Sequence, residues 1–162
     1  MALTNTLSTR LQIAAGTLAG RVYPIEDHGK TRWQWASVVQ GAAAGDANST
    51  YELFDFPPGR IRIIPWLSRY KSSALGAARL MSLGFGAYSP GASVADVAQN
   101  LTELFSAIDV SAAVVAGFPQ VVASPFKLDY FSVGGIRVIA QITGGTIPAA
   151  ATLDVAIGYI VE

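Results

Sequence analysis

Cysteine is absent from this chain, and among its 162 residues there is one histidine, His28. The first absence excludes disulfides, thiolate metal sites and cysteine nucleophiles. The second leaves any Ser–His–acid triad dependent on His28 alone. Charge is scarce as well: 14% of residues are Asp, Glu, Lys or Arg, against about 25% in ordinary soluble domains. Hydrophobic residues make up 51%. A domain so short of polar residues cannot cover its own surface with them, which predicts that a partner subunit covers part of it. Long apolar runs are missing too. Val110 to Phe126 carries no charge, but Gly117, Pro119 and Pro125 break it, so it is no spanning helix of ~18 or more apolar residues. A membrane is therefore not expected as a partner. Met1 to Arg10 is Thr-rich and polar, unlike a secretory signal.

Eleven basic and eleven acidic residues cancel, so no global basic field is available to hold nucleic acid. The balance is uneven along the chain: residues 1–81 carry nine bases and five acids, residues 82–162 two bases and six acids. Interleaved in one sandwich, the two halves would mix without consequence. On opposite faces they would make a polar molecule, able to pack against its own copies or a charged lattice. Eight of the eleven bases are Arg, the cation favoured at protein interfaces.

What is present reads as one mostly-β domain, a length-appropriate unit of about 130 residues behind an arm. Residues 1–30 hold no sustained period. Leu3, Leu7, Leu11 and Ile13 are scattered among Thr, Ser, Ala and Gly, and the stretch reads as an extended N-terminal arm ordered against a neighbour. With Arg21 these residues are interface candidates; a first edge strand of the same domain is the alternative. From residue 31 strands follow. Trp33 to Val39 is aromatic and β-branched, and Tyr51 to Phe56 ends in the turn Pro57-Pro58-Gly59. Arg60 to Ile64 alternates charge and Ile up to Pro65. Gly84 and Gly86, inside Arg79 to Tyr88, predict a bulge or a close backbone approach. Ile136, Val138, Ala140 and Ile142 share a face, as do Leu153, Val155, Ile157, Tyr159 and Val161. One segment differs: Val94, Val97, Leu101, Leu104, Phe105 and Ile108 fall at helical spacing after the start signal Ser93–Asp96. That spacing predicts a short helix over 94–106, packed on one edge of the sheet. Many short strands without βαβ rhythm favour an antiparallel β-sandwich, jelly-roll-like, with one short helix; a small β-barrel is the alternative.

Motifs with chemistry fail at their second element. Glu26-Asp27-His28 resembles a ligand or base set, but no second His or Cys completes a metal site. Gly29-Lys30-Thr31 ends like a phosphate-binding loop, yet its first glycine falls at Pro24 and a strand pattern follows it. Gly84-Phe85-Gly86 opens a dinucleotide fingerprint whose third glycine is Ser89. Glu52 and Asp55 are three apart, so a regular strand puts them on opposite faces; Asp129 and Asp154 could meet only across strands. No catalytic, cofactor or metal residue is assigned. Trp33, Trp35 and Trp66 are assigned to an interface; an exposed row of them would instead suit a glycan platform.

The segments Tyr51–Pro65, Ser73–Leu80 continuing through Leu83-Gly84 to Tyr88, Asp109–Ala112 and Gly144–Leu153 resemble small virion proteins of tailed bacteriophages. The likeness spans roughly residues 50–162 and is one of texture and order. It implies a capsid decoration, or cement, protein. Its partners would be the major capsid protein and copies of itself, as a trimer ahead of a dimer. Its place would be the phage head surface, after synthesis in the host cytoplasm. A neck, tail or fibre-base component, or a glycan-binding module on the virion, would share this composition.

Overall fold

A computed structural model describes residues 5–7, 31–119 and 128–161. Every regular element among them is a strand: β1 (Asn5–Leu7), β2 (Thr31–Val39), β3 (Thr50–Phe56), β4 (Gly59–Ser72), β5 (Leu80–Phe85), β6 (Asn100–Asp109), β7 (Val114–Gly117), β8 (Asp129–Ser132), β9 (Ile136–Thr143) and β10 (Thr152–Val161). They form two sheets. One has the order β1-β3-β9-β5-β6; the other runs β2-β10-β4-β7, with β8 also on β4. Pairing is antiparallel throughout, apart from the short parallel contact of β1 with β3. Neither sheet closes on itself, so the architecture is a sandwich and not a barrel.

The period-two alternation of the sequence explains which faces meet. Leu153, Val155, Ile157, Tyr159 and Val161 of β10, Ile61 and Ile63 of β4, and Ile136, Val138, Ala140 and Ile142 of β9 are all buried. Between the sheets the rings meet edge-on: Phe56 with Tyr159 at 4.9 Å and Phe85 with Tyr130 at 4.7 Å between centroids, a favoured aromatic geometry.

β2 inverts the expected polarity. Its inward residues are Arg32, Gln34, Ala36 and Val38. Gln34 is satisfied there: its Nε2 donates to the Asp55 carbonyl at 2.9 Å, and its Oε1 accepts from the Tyr159 hydroxyl at 3.1 Å. The tryptophans of β2 are thereby turned outward.

The helix expected over 94–106 is not formed. Residues 100–106 lie in β6, and no helix occurs among the described residues. The helical spacing has another cause. Ser106 and Ala107 together stand opposite Ser82, and Leu101 to Leu104 stand opposite Gly84. Two bulges thus stretch a period of two into apparent steps of three and four. Ala107 takes the left-handed conformation, φ 54°, and its N–H donates to Ser82 Oγ at 3.2 Å. The close approach expected at Gly84 is present: a Cβ there would lie 2.0 Å from the Asn100 carbonyl oxygen.

Candidate functional site

The outer face of the β2-β10-β4-β7 sheet is the unusual surface of this molecule. Trp33, Trp35 and Trp66 are 47%, 59% and 70% exposed. Trp33 and Trp35 alternate with Gln34 on β2, so they stand side by side, about 7 Å apart along the strand. Across the ladder Trp33 faces Gly158 of β10, which Leu67 covers, and Trp35 faces Ala156, whose small side chain leaves a low floor.

Trp66 reaches the same face by a different route. Pairing of β10 with β4 jumps from Ala156↔Arg69 to Gly158↔Ile64, so Pro65, Trp66, Leu67 and Ser68 stand opposite Ile157 alone. Pro65, which lacks an N–H for the ladder, is tolerated within this wide bulge. Ser68 locks the bulge. Its Oγ donates to the Ile64 carbonyl at 2.9 Å and accepts from the Gly158 N–H at 3.2 Å. Its carbonyl accepts from the Phe118 N–H at 3.0 Å.

Two grooves lie on this face. The first, of about 660 Å³, is lined by Trp35, Arg69, Lys71, Val115, Asp154 and Ala156 among others. The second, of about 480 Å³, lies among Trp66, Arg62, Ile64, Asp129 and Ile160. Val39, Val115 and Phe131 extend the exposed apolar residues on this sheet. Charge rims it. Asp129 accepts from Arg62 at 2.7 and 3.2 Å and from Arg60 at 3.4 Å. The Arg62 hydrogen bond, above all, holds the Asp129 carboxyl below the usual carboxylate range. Arg69 and Lys71 are exposed beside the first groove.

The opposite sheet carries a polar groove of about 770 Å³ beside Gly86, Gln99, Gly134 and Gln141. At its centre Arg137 donates from Nε and Nη2 to Asp55 at 2.9 and 3.1 Å, and from Nη1 to Glu52 at 2.7 Å. These bonds, led by that to Asp55, hold the guanidinium pKa above its ordinary value. The expectation that Glu52 and Asp55 point to opposite faces is corrected here. Leu53 is an extra residue in β3, since Glu52 pairs with Ile139 and Phe54 with Val138, and the bulge returns both carboxylates to one face. They form an ion-pair network with Arg137, not an open acid–base pair. Asp129 and Asp154 do not meet: Asp129 is level with Arg62 and Ile160, Asp154 with Lys71.

Charge is segregated by sheet. The exposed or half-buried charges on β2, β10, β4, β7 and β8 are Arg60, Arg62, Arg69 and Lys71 against Asp129 and Asp154. Strands of the other sheet carry Glu52, Asp55, Glu103 and Asp109 against Arg137. The two halves of the sequence interleave, each giving strands to both sheets; the segregation comes from β4, which carries all four of these cations on one sheet.

Of the sequence-derived interface residues, Trp33, Trp35 and Trp66 come together on one face. Leu7 lies in β1, whose backbone pairs with Glu52 of β3. Leu3, Leu11, Ile13 and Arg21 lie outside the described residues, as does His28. Sequence reasoning missed Arg69, Lys71 and Val115, whose signal was the exposed register of β4 and β7. No group of three His, Cys, Asp or Glu that could hold a metal occurs among the described residues, and no helix there is long and apolar enough to cross a membrane.

No protein-family profile matches the chain, and no curated protein matches it by sequence. Two solved structures share its fold. A chain of the capsid of Ralstonia phage GP4 superposes with a TM-score of 0.68 at 20% identity, covering 98% of this chain and 99% of that one. A chain of the cyanophage Pam1 capsid asymmetric unit gives a TM-score of 0.54 at 16% identity, covering 90% of this chain and 96% of that one. At these identities the likeness is one of fold.

Proposed function

We propose that this chain is a structural virion protein of the decoration, or cement, type, which binds the outside of a phage capsid lattice and stabilises the head. The observation that carries the reading is the exposed Trp33–Trp35–Trp66 face on a fold that runs end to end with whole chains of two phage capsids. Strands alternate between the two sheets in chain order from β2 to β5, which supports a jelly roll. The partners are the major capsid protein and copies of this chain, a trimer ahead of a dimer. Its action is to bind the assembled lattice better than the separated parts, by mass-action linkage and without catalysis.

Particles with and without the protein test this. Those lacking it should open at lower temperature and under milder osmotic or chelating stress, and labelled antibody should mark the head. Equal resilience of the two would remove the cement role. Label confined to neck or tail would move the protein there.

A second reading, a glycan-binding module on the virion surface, is favoured by the side-by-side exposure of Trp33 and Trp35. Sugar rings stack on such faces. Saccharide-induced quenching of tryptophan fluorescence would support it, and its absence across a panel of host-surface glycans would remove it.

A further inference from the structure

We infer that the tryptophan face of the β2-β10-β4-β7 sheet is the docking face, and that its partner is an acidic protein surface on a different chain. The inference rests on the virion reading and adds to it an orientation: this sheet faces the lattice, and the acidic sheet faces away.

The chemistry of the face selects a protein. Trp35 and Val115 flank a trough floored by Ala156, and Trp66 stands 70% exposed over the neighbouring groove beside Arg62 and Ile160. Rigid aromatic anchors around a groove, with Arg and Lys at the rim, are the composition of an interface hot spot. The rim has a surplus of cations: Arg69 and Lys71 stand beside the groove, and Asp129 is already held by Arg62 and Arg60. A complementary surface supplies carboxylates. Asp154 lies within the same groove, and Asp129 at the next; this interruption is unsuited to a continuous phosphate track.

Geometry selects a different chain. Among the described strands, the acidic surplus sits on the opposite sheet, with Glu52, Asp55, Glu103 and Asp109 against Arg137. A copy presenting them to the tryptophan face of the next would stack head to tail, and two faces on opposite sides of a sandwich give an open stack, not a closed ring. Two copies meeting by the same face would bring Arg69 and Lys71 into an interface with their own duplicates. Neither arrangement satisfies the face, whereas a carboxylate-bearing partner does.

The test uses purified heads lacking this protein and the purified full chain, with occupancy measured by co-sedimentation. Trp35→Ala and Trp66→Ala should each weaken binding about tenfold or more, as should the double reversal Arg69→Glu/Lys71→Glu. Wild-type binding should weaken with added salt, and that dependence should shrink in the double reversal. Gln141→Ala, on the other sheet, should bind as wild type. Circular dichroism establishes that each variant is folded; the charge reversal, on exposed side chains, serves if a tryptophan variant does not fold. Folded variants that bind as wild type, with Gln141→Ala losing affinity, would overturn the orientation and leave the virion reading intact. Failure of the wild type to bind heads would instead remove that reading. Variants that keep head binding but lose affinity for single-stranded oligothymidine would assign the face to nucleic acid and overturn the inference.

Discussion

Arg137 and Asp55 stand directly opposite each other on β9 and β3 and are joined by two parallel hydrogen bonds, Nε to Oδ1 at 2.9 Å and Nη2 to Oδ2 at 3.1 Å. The remaining nitrogen, Nη1, takes Glu52 at 2.7 Å. All three nitrogens of the fork are used, and the bulge at Leu53 is what makes this possible.

The first prediction follows. Arg137→Ala should lower stability by about 1 kcal/mol, because the pair is partly solvated. Arg137→Lys should recover little of it, since an ammonium cannot make the planar two-point contact. Urea midpoints of the three proteins check this. Full recovery by Lys would reduce the network to a simple charge effect.

The buried tyrosines make the fold sensitive to alkali. Tyr51 donates to Gln40 Oε1 at 2.7 Å, and burial pushes its pKa up to about 12 from 10.0. Burial raises Tyr70 and Tyr130 as well. A raised folded-state value means the unfolded chain loses the proton first. The associated stability is complete below pH 10 and is lost as pH rises from 10 towards 12. Tyr51→Phe should therefore be less stable than wild type by about 1 kcal/mol at neutral pH, and the gap should narrow above pH 10. Urea titrations from pH 8 to 11.5 would show it; a constant gap would contradict it.

Much of the fold was legible because Arg60–Ile63 of β4 and the inward residues of β9 and β10 follow a period of two, and one buried face forces one register. Three features were not, and each has a physical cause. Glu52 and Asp55 share a face because Leu53 is inserted. Leu101, Leu104 and Ile108 mimic a helix because two bulges interrupt β6. On β2 hydrophobicity pointed the wrong way: Gln34 is buried because the Tyr159 hydroxyl and the Asp55 carbonyl satisfy it, and those partners are distant in sequence. That the three exposed tryptophans share one surface was not legible either, because the Pro65–Ser68 bulge that brings Trp66 to the face has no local signature beyond Pro65.

Gly84 offers a sharper test of β6. A Cβ at this position would lie 2.0 Å from the Asn100 carbonyl oxygen and 2.5 Å from the Leu101 carbonyl carbon. Both are backbone atoms and cannot rotate away. Gly84→Ala should cost about 3 kcal/mol or more, beyond the usual range for overpacking. It should also raise hydrogen exchange selectively along β6. Uniform exchange with unchanged stability would show that this edge pairs differently.

The last prediction concerns the bulge that presents Trp66. A Cβ on Gly158 would lie 2.7 Å from the Leu67 Cβ, so Gly158→Ala must push the bulge away from β10. Ser68→Ala loosens the same bulge without a clash, by removing the bonds to Ile64 and Gly158. Each substitution should cost about 1–3 kcal/mol, the first by overpacking and the second by leaving buried backbone groups unpaired. With Trp33 and Trp35 replaced by Phe, fluorescence anisotropy reports Trp66 alone, and it should fall in both variants. Head binding should weaken in step, although neither residue is exposed and neither can touch a partner. A drop in anisotropy with undiminished binding would mean that Trp66 needs no fixed position, and would shift the weight of docking to Trp33 and Trp35 on the rigid ladder of β2.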